Sequence, residues 1–273
     1  MTRSPIQRAP PVTLLAAGLL GVLLLAAVLA PRLAPHDPRH AVPEDQLQSP
    51  SAAHPFGTDY LGRDVFSRVL FGGRRTLGMA LLAAGVTLLP GLAVGVVAGA
   101  GKHAAGPGPW LDAGLMVVMD ALLAFPHLLL ALVMVALLGS GTTQIALAVG
   151  VAGLPAYARV TRAAVIEGLA RPHLIGARAI GAGWGGVVWR HVLPGIAPTL
   201  LAFAGVTLSW AILNSAALTF LGYGGDISAP DWGVMLADGR AVYRVAPWVV
   251  IAPGAALSLT VLAINLLLNG SRR

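Results

Sequence analysis

The stretch "AGLMVVMDALLAFPHLLLALVMVALLGSGTTQIALAVGVAGLPAYA", residues 113–158, decides the architecture. It runs for 46 residues with a single charge, Asp120. A bilayer core about 30 Å thick is crossed by roughly 20 apolar residues in a helix. The stretch is therefore two crossings, and "GSGTTQ" (Gly139–Gln144) supplies the break between them. Working outward, four more uncharged runs appear: Val12–Ala30 (19 residues), Thr76–Gly101 (26), Val192–Gly225 (34) and Val245–Ser271 (27). Together they predict an all-α membrane protein with six transmembrane helices.

The composition agrees. Of 273 residues, 56% are hydrophobic and 11% charged, against about a quarter charged in soluble domains. Arg3 and Arg8 precede the first run as they would in a signal peptide. Its length exceeds a signal h-region, however, and Pro31 stands where cleavage would fall, so a retained helix is expected. With no cysteine, neither disulfides nor thiolate metal sites enter.

Orientation follows from the loops. With the N-terminus in the cytoplasm, the inside segments hold ten of the 18 basic residues and only Asp112 and Glu167 as acids. Residues 32–75 and 226–244, outside, hold eight bases and eight acids. The short 159–191 loop, with five arginines, is the strongest indicator. The high pI thus reflects membrane topology, and nucleic acid is not an expected partner.

Several segments carry finer expectations. Residues 32–55 are Pro-rich and read as disordered. Leu61, Val65, Arg68 and Val69 fall at helical spacing and predict a short interfacial helix before the second span. Trp232, Tyr243 and Trp248 suit an interface belt. Asp120, the one charge inside a predicted span, either lines a polar path or is an acid paired within the chain. Asn214 and Ser215 are polar intramembrane residues expected to hydrogen-bond between helices. His127, after Pro126, packs in a kinked helix. His36, His40 and His54 lie in a Pro-broken loop, and no preformed metal site is expected there.

The segment "GARAIGAGWGGVVWRHVLPGIAP" (176–198) is basic and glycine-hinged. Arg171-Pro172 ends the helix continuing from the fourth span. Residues 172–180 can form one short helix, and "WGGVVWRHVL" a second that Pro194 ends. Trp184, Val187, Val188 and Leu193 would give this second helix an apolar face, which is costly in water unless a partner covers it.

"ARAIG…HVLP" resembles the EAA loop of ABC importer permeases. "HPFGTDYLGRDVFSRVLFGGRRTL", "DALLAFPHLLLALV", "LTFLGYG", "PDWGVMLADGR" and "APWVVIAPGAALSLTVLAINLLLNG" resemble the second, C-type permease subunit of dipeptide, oligopeptide and nickel importers. The resemblance covers about Leu14 to Gly270. It implies a cytoplasmic N-terminus (1–11), a first transmembrane helix (12–30), an external loop (31–75), a five-helix permease core (76–270) and a cytoplasmic end (271–273). It also makes 172–194 the coupling segment that docks on a cytoplasmic ATPase, with Ala177, Arg178, Gly181, Trp184, Val187, Val188, His191, Leu193 and Pro194 as its residues. The family's leading Glu falls on Ile175, and its usual third-span Arg on Val117.

The implied activity is one half of a peptide translocation pore in the bacterial cytoplasmic (inner) membrane. The implied partners are a second related permease, two ATPase subunits and an extracytoplasmic substrate-binding protein. Nickel or a metal chelate is the alternative substrate; a passive channel and a membrane enzyme are the rival classes. "GVVAGAGKH" lacks the first Gly and the hydroxyl of a phosphate loop, so ATP and Mg belong to the partners and no cofactor is expected on this chain. No His-Glu-x-x-His or Gly-x-Ser-x-Gly pattern supports a membrane hydrolase.

Overall fold

The computed structural model describes residues 11–102, 106–172 and 183–270. Among them the structure is helical, with one isolated bridge between Thr58 and Asp64. The elements are α1 (Pro11–Val28), α2 (Ala30–Leu33), a 3-10 turn (Pro43–Asp45), α3 (Val65–Gly101), α4 (Gly108–Leu123), α5 (His127–Leu138), α6 (Thr142–Leu169), α7 (Trp184–Val187), a π-turn (Val188–Val192), α8 (Leu193–Phe220), α9 (Trp232–Gly239) and α10 (Trp248–Gly270).

Three continuous helices are long and apolar enough to cross a membrane: α3, the run Gly185–Phe220, and Trp248–Leu268 of α10. A fourth is the pair α4 and α5, bent by 92°. Pro126 causes that bend. It has no N–H to donate, and its ring disfavours helical geometry at Phe125. The break expected at Gly139–Gln144 is present; Gly139 and Gly141 sit at φ 90 and 147, which side chains rarely adopt. Outward-facing Leu81, Leu82, Leu89 and Val97 give α3 an apolar surface suited to lipid.

The chain divides into two compact units, one comprising residues up to Gly78 with those from Ser215 onward, the other Met79–Asn214.

In the first unit, α1 and α9 each pack on α10. The loop before α3 is ordered, contrary to its disordered reading, because polar side chains and backbone tie it together. Gln48 N–H donates to Thr58 Oγ1 at 2.8 Å, and Thr58 Oγ1 donates to the Asp45 carbonyl. Gly62, at φ 75, lets the backbone come so close that a Cβ would lie 1.8 Å from the Val42 carbonyl oxygen.

The loop ends in a charge cluster. Arg63 Nε donates to Asp59 at 2.7 Å and Arg63 Nη2 to Asp238 at 3.1 Å. Arg68 lies 3.5 Å from Asp59 and 3.6 Å from Asp238 and is 1% exposed. Burial pushes the Asp238 carboxyl above its ordinary pKa, against the pull of Arg63 and Arg68. Burial likewise raises the Tyr60 hydroxyl, with Asp238 adding to it.

This cluster corrects the interfacial-helix expectation. Leu61 lies outside the helix, and α3 runs unbroken from Val65 with Arg68 fully buried. The belt reading is corrected too. Trp232 is buried and donates Nε1–H to the Val69 carbonyl, and Trp248 donates to that of Thr58. Only Tyr243 of the three is exposed. Asp231 caps α9 by accepting from Gly233 and Val234 N–H, and also takes the Thr76 and Thr219 hydroxyls.

In the second unit, the C-terminal half of α3 packs on α6 through glycines. A Cβ at Gly91 would meet Tyr157 at 3.1 Å, one at Gly95 the Ala158 carbonyl at 2.5 Å, and one at Gly99 Val165 at 2.8 Å. Glycine at every fourth position brings the backbones into contact, the usual way of joining helices where lipid gives no hydrophobic drive. From α6, Gly150 returns the approach, its Cβ position lying 2.6 Å from Val86.

Candidate functional site

The segment from Trp184 to Leu200 is one continuous helix containing a π-turn. Leu193 N–H reaches back five residues to the Val188 carbonyl. The widened turn accommodates Pro194 within a helix that continues to Phe220. The expectation that Pro194 ends a separate short helix is therefore corrected: residues 184–192 are the N-terminal extension of the long helix that continues as α8.

Val187, Val188 and Val192 turn inward. They form a buried cluster with Ala164, Val165 and Leu169 of α6 and with Ile196 and Leu200, and Leu193 packs against its edge. Gly168 makes room, because a Cβ there would lie 2.8 Å from Val192 Cγ1. The outward apolar face built on Val187, Val188 and Leu193 is thus corrected. Those residues anchor the segment to its own chain, where burial of each valine contributes about 1.5 kcal/mol or more.

The opposite side presents Trp189, Arg190, His191, Gly185 and Gly186 to solvent, with Trp189 71% exposed. Of the sequence-predicted residues, His191 lies on this strip. Pro194 is also exposed. Trp184 belongs to α7. Ile175, Ala177, Arg178 and Gly181 lie outside the described residues.

Sequence reading missed Trp189 and Arg190. The signal was present in the triplet Trp-Arg-His, placed between inward valines at 188 and 192.

Two ion pairs join α4 to α6. Arg162 Nε and Nη2 donate to the two oxygens of Asp112, both at 2.6 Å. Arg159 Nη2 donates to Asp120 at 2.6 Å, with both side chains about half exposed. Asp120 is therefore paired within the chain. The Asp112–Arg162 fork was also missed; the two residues are far apart in sequence and carry no local pattern.

Asn214 and Ser215 are both buried, and Asn214 makes the expected helix-to-helix hydrogen bond, its side chain pairing with that of His127 on α5. Asn214 Nδ2 donates to the Trp210 carbonyl of its own helix at 2.8 Å, and Ser215 Oγ has no partner among the described residues. His127 follows the 92° bend, and its buried Nδ1 is likewise unpartnered. It lines an apolar cavity of about 330 Å³ with Thr87, Gly153, Phe203, Thr207 and Trp210. Tyr157 stacks on Phe203 beside it, ring centroids 6.0 Å apart. A polar ring atom, two hydroxyls and aromatic walls make a surface able to hold a small amphipathic group.

Residues 91–273 match the family described as "Binding-protein-dependent transport system inner membrane component". The chain is similar to the di/tripeptide transport system permease protein DppC of Pseudomonas aeruginosa, with 41% identity over 93% of this chain and 85% of the relative. It is 38% identical to the glutathione transport system permease protein GsiD of Pectobacterium atrosepticum, over 94% of this chain and 84% of the relative. The dipeptide transport system permease protein DppC of Alkalihalophilus pseudofirmus is 35% identical over 91% and 80%.

Proposed function

Because the chain belongs to the family of binding-protein-dependent transport system inner-membrane components, we propose that it is the permease subunit of an ATP-driven importer of short peptides. The support for peptide cargo is that relatives covering most of its length are named for dipeptides, tripeptides and glutathione. The chain is a multi-pass inner-membrane protein of a family whose members are not themselves catalytic.

In this reading a second permease completes the pore. An extracytoplasmic binding protein delivers the peptide, and two cytoplasmic subunits hydrolyse ATP with the nucleotide and Mg they hold. Six crossings arise when α1 and α6 join the four helices and helix pairs that meet the length and hydropathy criteria. At 1.5 Å per residue α1 is about 27 Å long, close to the thickness of a bilayer core. Both termini are then cytoplasmic, with residues 32–64 outside.

The observation that carries the mechanism is the two-sided helix at 184–192. Its valines are locked into α6 and the cluster below, while Trp189, Arg190 and His191 stand free. An ATPase surface that grips the free strip moves a rigid lever, because the π-turn joins that strip directly to α8. Motion is then passed into the spans rather than absorbed in a loop.

The test is uptake of a labelled dipeptide by vesicles holding this chain, its sister permease and the ATPases, with binding protein added outside. Uptake that needs both ATP and binding protein is expected. Flux without ATP would assign a passive channel, and turnover by this chain alone would assign a membrane enzyme.

A further inference from the structure

The geometry points to a divalent transition-metal site formed by His36, His54 and Asp64, beside the first turn of α3. The three ligand atoms lie within 4.8 Å of one another. Asp64 Oδ1 is 2.9 Å from His54 Nδ1 and 3.8 Å from His36 Nδ1. In a tetrahedral site with metal–ligand bonds of about 2.0–2.2 Å, neighbouring ligand atoms stand about 3.3 Å apart. The two observed separations straddle that value.

The donors are held for the purpose. Asp64 is 1% exposed, and its second oxygen is committed to Ser67 N–H at 2.8 Å, which leaves Oδ1 aimed at the imidazoles. His36 is positioned by its own N–H, which donates to Ser67 Oγ at 3.2 Å. The rings of His36 and His54 lie 4.7 Å apart. On the far side of His54, Asp45 Oδ2 stands 4.0 Å from Nε2. The nearby arginines do not compete, since Arg63 and Arg68 are engaged with Asp59 and Asp238. One carboxylate and two imidazoles thus face one point without a dedicated cation, and Asp45 stands behind the His54 ring.

Imidazole nitrogen with one carboxylate oxygen selects Zn²⁺ and its neighbours Ni²⁺ and Cu²⁺ over Mg²⁺ and Ca²⁺. Three protein ligands leave a fourth position open to water. The His36 side chain is 43% exposed, so it can close on an ion by rotamer adjustment. A bound ion would clip the segment around His36 to the loop and helix start at residues 54–64. His40, whose N–H donates to the Asp37 carbonyl, takes no part. The site is independent of what the protein transports.

The test uses the full-length chain in detergent with any affinity tag removed and metal stripped. Co²⁺ is titrated while its visible absorption is followed, and Zn²⁺ is then used to displace it. With no cysteine in the chain, thiolate bands do not confuse the spectrum. One equivalent of Co²⁺ should bind with a tetrahedral spectrum, and Zn²⁺ should displace it. Replacing the exposed ligand, His36→Ala or His36→Gln, should weaken binding about tenfold or more, while His40→Ala leaves it unchanged. His54→Ala removes a buried, hydrogen-bonded ring and can disturb the loop, so the His36 variants carry the decision. Absence of a stoichiometric complex, or equal binding by His36→Ala and the parent, overturns the site.

Discussion

The polar region around Asp59–Arg68 and the glycine seam between α3 and α6 solve the same problem in opposite ways. In the first, chain segments are joined by charges, with two arginines and two aspartates paired away from water. In the second, they are joined by the absence of side chains at Gly91, Gly95 and Gly99. The charged region depends on partners and is damaged by removing one. The seam depends on empty space and is damaged by adding to it. The same helix, α3, begins in one regime and ends in the other.

The largest effect should come from breaking the charge cluster. Arg63→Ala leaves Asp59 and Asp238 buried with only the more distant Arg68, and should cost about 3–5 kcal/mol. The check is thermal unfolding of the purified chain, or a collapse of folded yield. Replacing Arg63 by a residue that kept full stability would show that the cluster does not hold the loop.

Next comes the seam. Gly95→Ala forces a methyl to within 2.5 Å of the Ala158 carbonyl, where backbone must shift. About 1–3 kcal/mol should be lost, read by the same melt. Gly85, ten residues earlier on α3, has nothing within 4 Å of its Cβ position. Gly85→Ala should therefore be silent or slightly stabilising, since Ala is the better helix former. Equal melts for the two variants would show that the seam is not close-packed.

Smaller still is Arg159→Gln. Its pairing with Asp120 is short but half exposed, so the loss should be about 0–1 kcal/mol. Arg162→Gln, which breaks the fork to buried Asp112, should cost more. Reversal of that order, measured by unfolding, would mean that exposure does not rank these pairs.

The same contrast explains what could be read in advance. Breakers are local and were legible: the Gly139–Gln144 gap and the helix end before Pro172 follow from backbone rules. The seam was also within reach, because Gly91, Gly95 and Gly99 recur in steps of four. The charge cluster was not, since it joins Asp59 to Asp238 across most of the chain, and charged residues in a polar loop look solvated. Residues 184–194 misled for another reason. Val187, Val188 and Val192 are equally consistent with an outward face and with an inward anchor, and Pro194 signals a stop that the π-turn cancels.

The proposed lever at 184–192 needs its valines as anchor and Trp189 with its neighbours as the grip for the ATPase. Its most direct test is peptide-stimulated ATP hydrolysis by the chain carrying Trp189→Asp, reconstituted with the proposed permease and ATPase partners. Trp189 is 71% exposed, so the variant's melting temperature as an isolated chain should match the parent's. Stimulation should fall about tenfold or more, with uptake falling in step. Full stimulation and normal uptake by a stably assembled Trp189→Asp complex would contradict it.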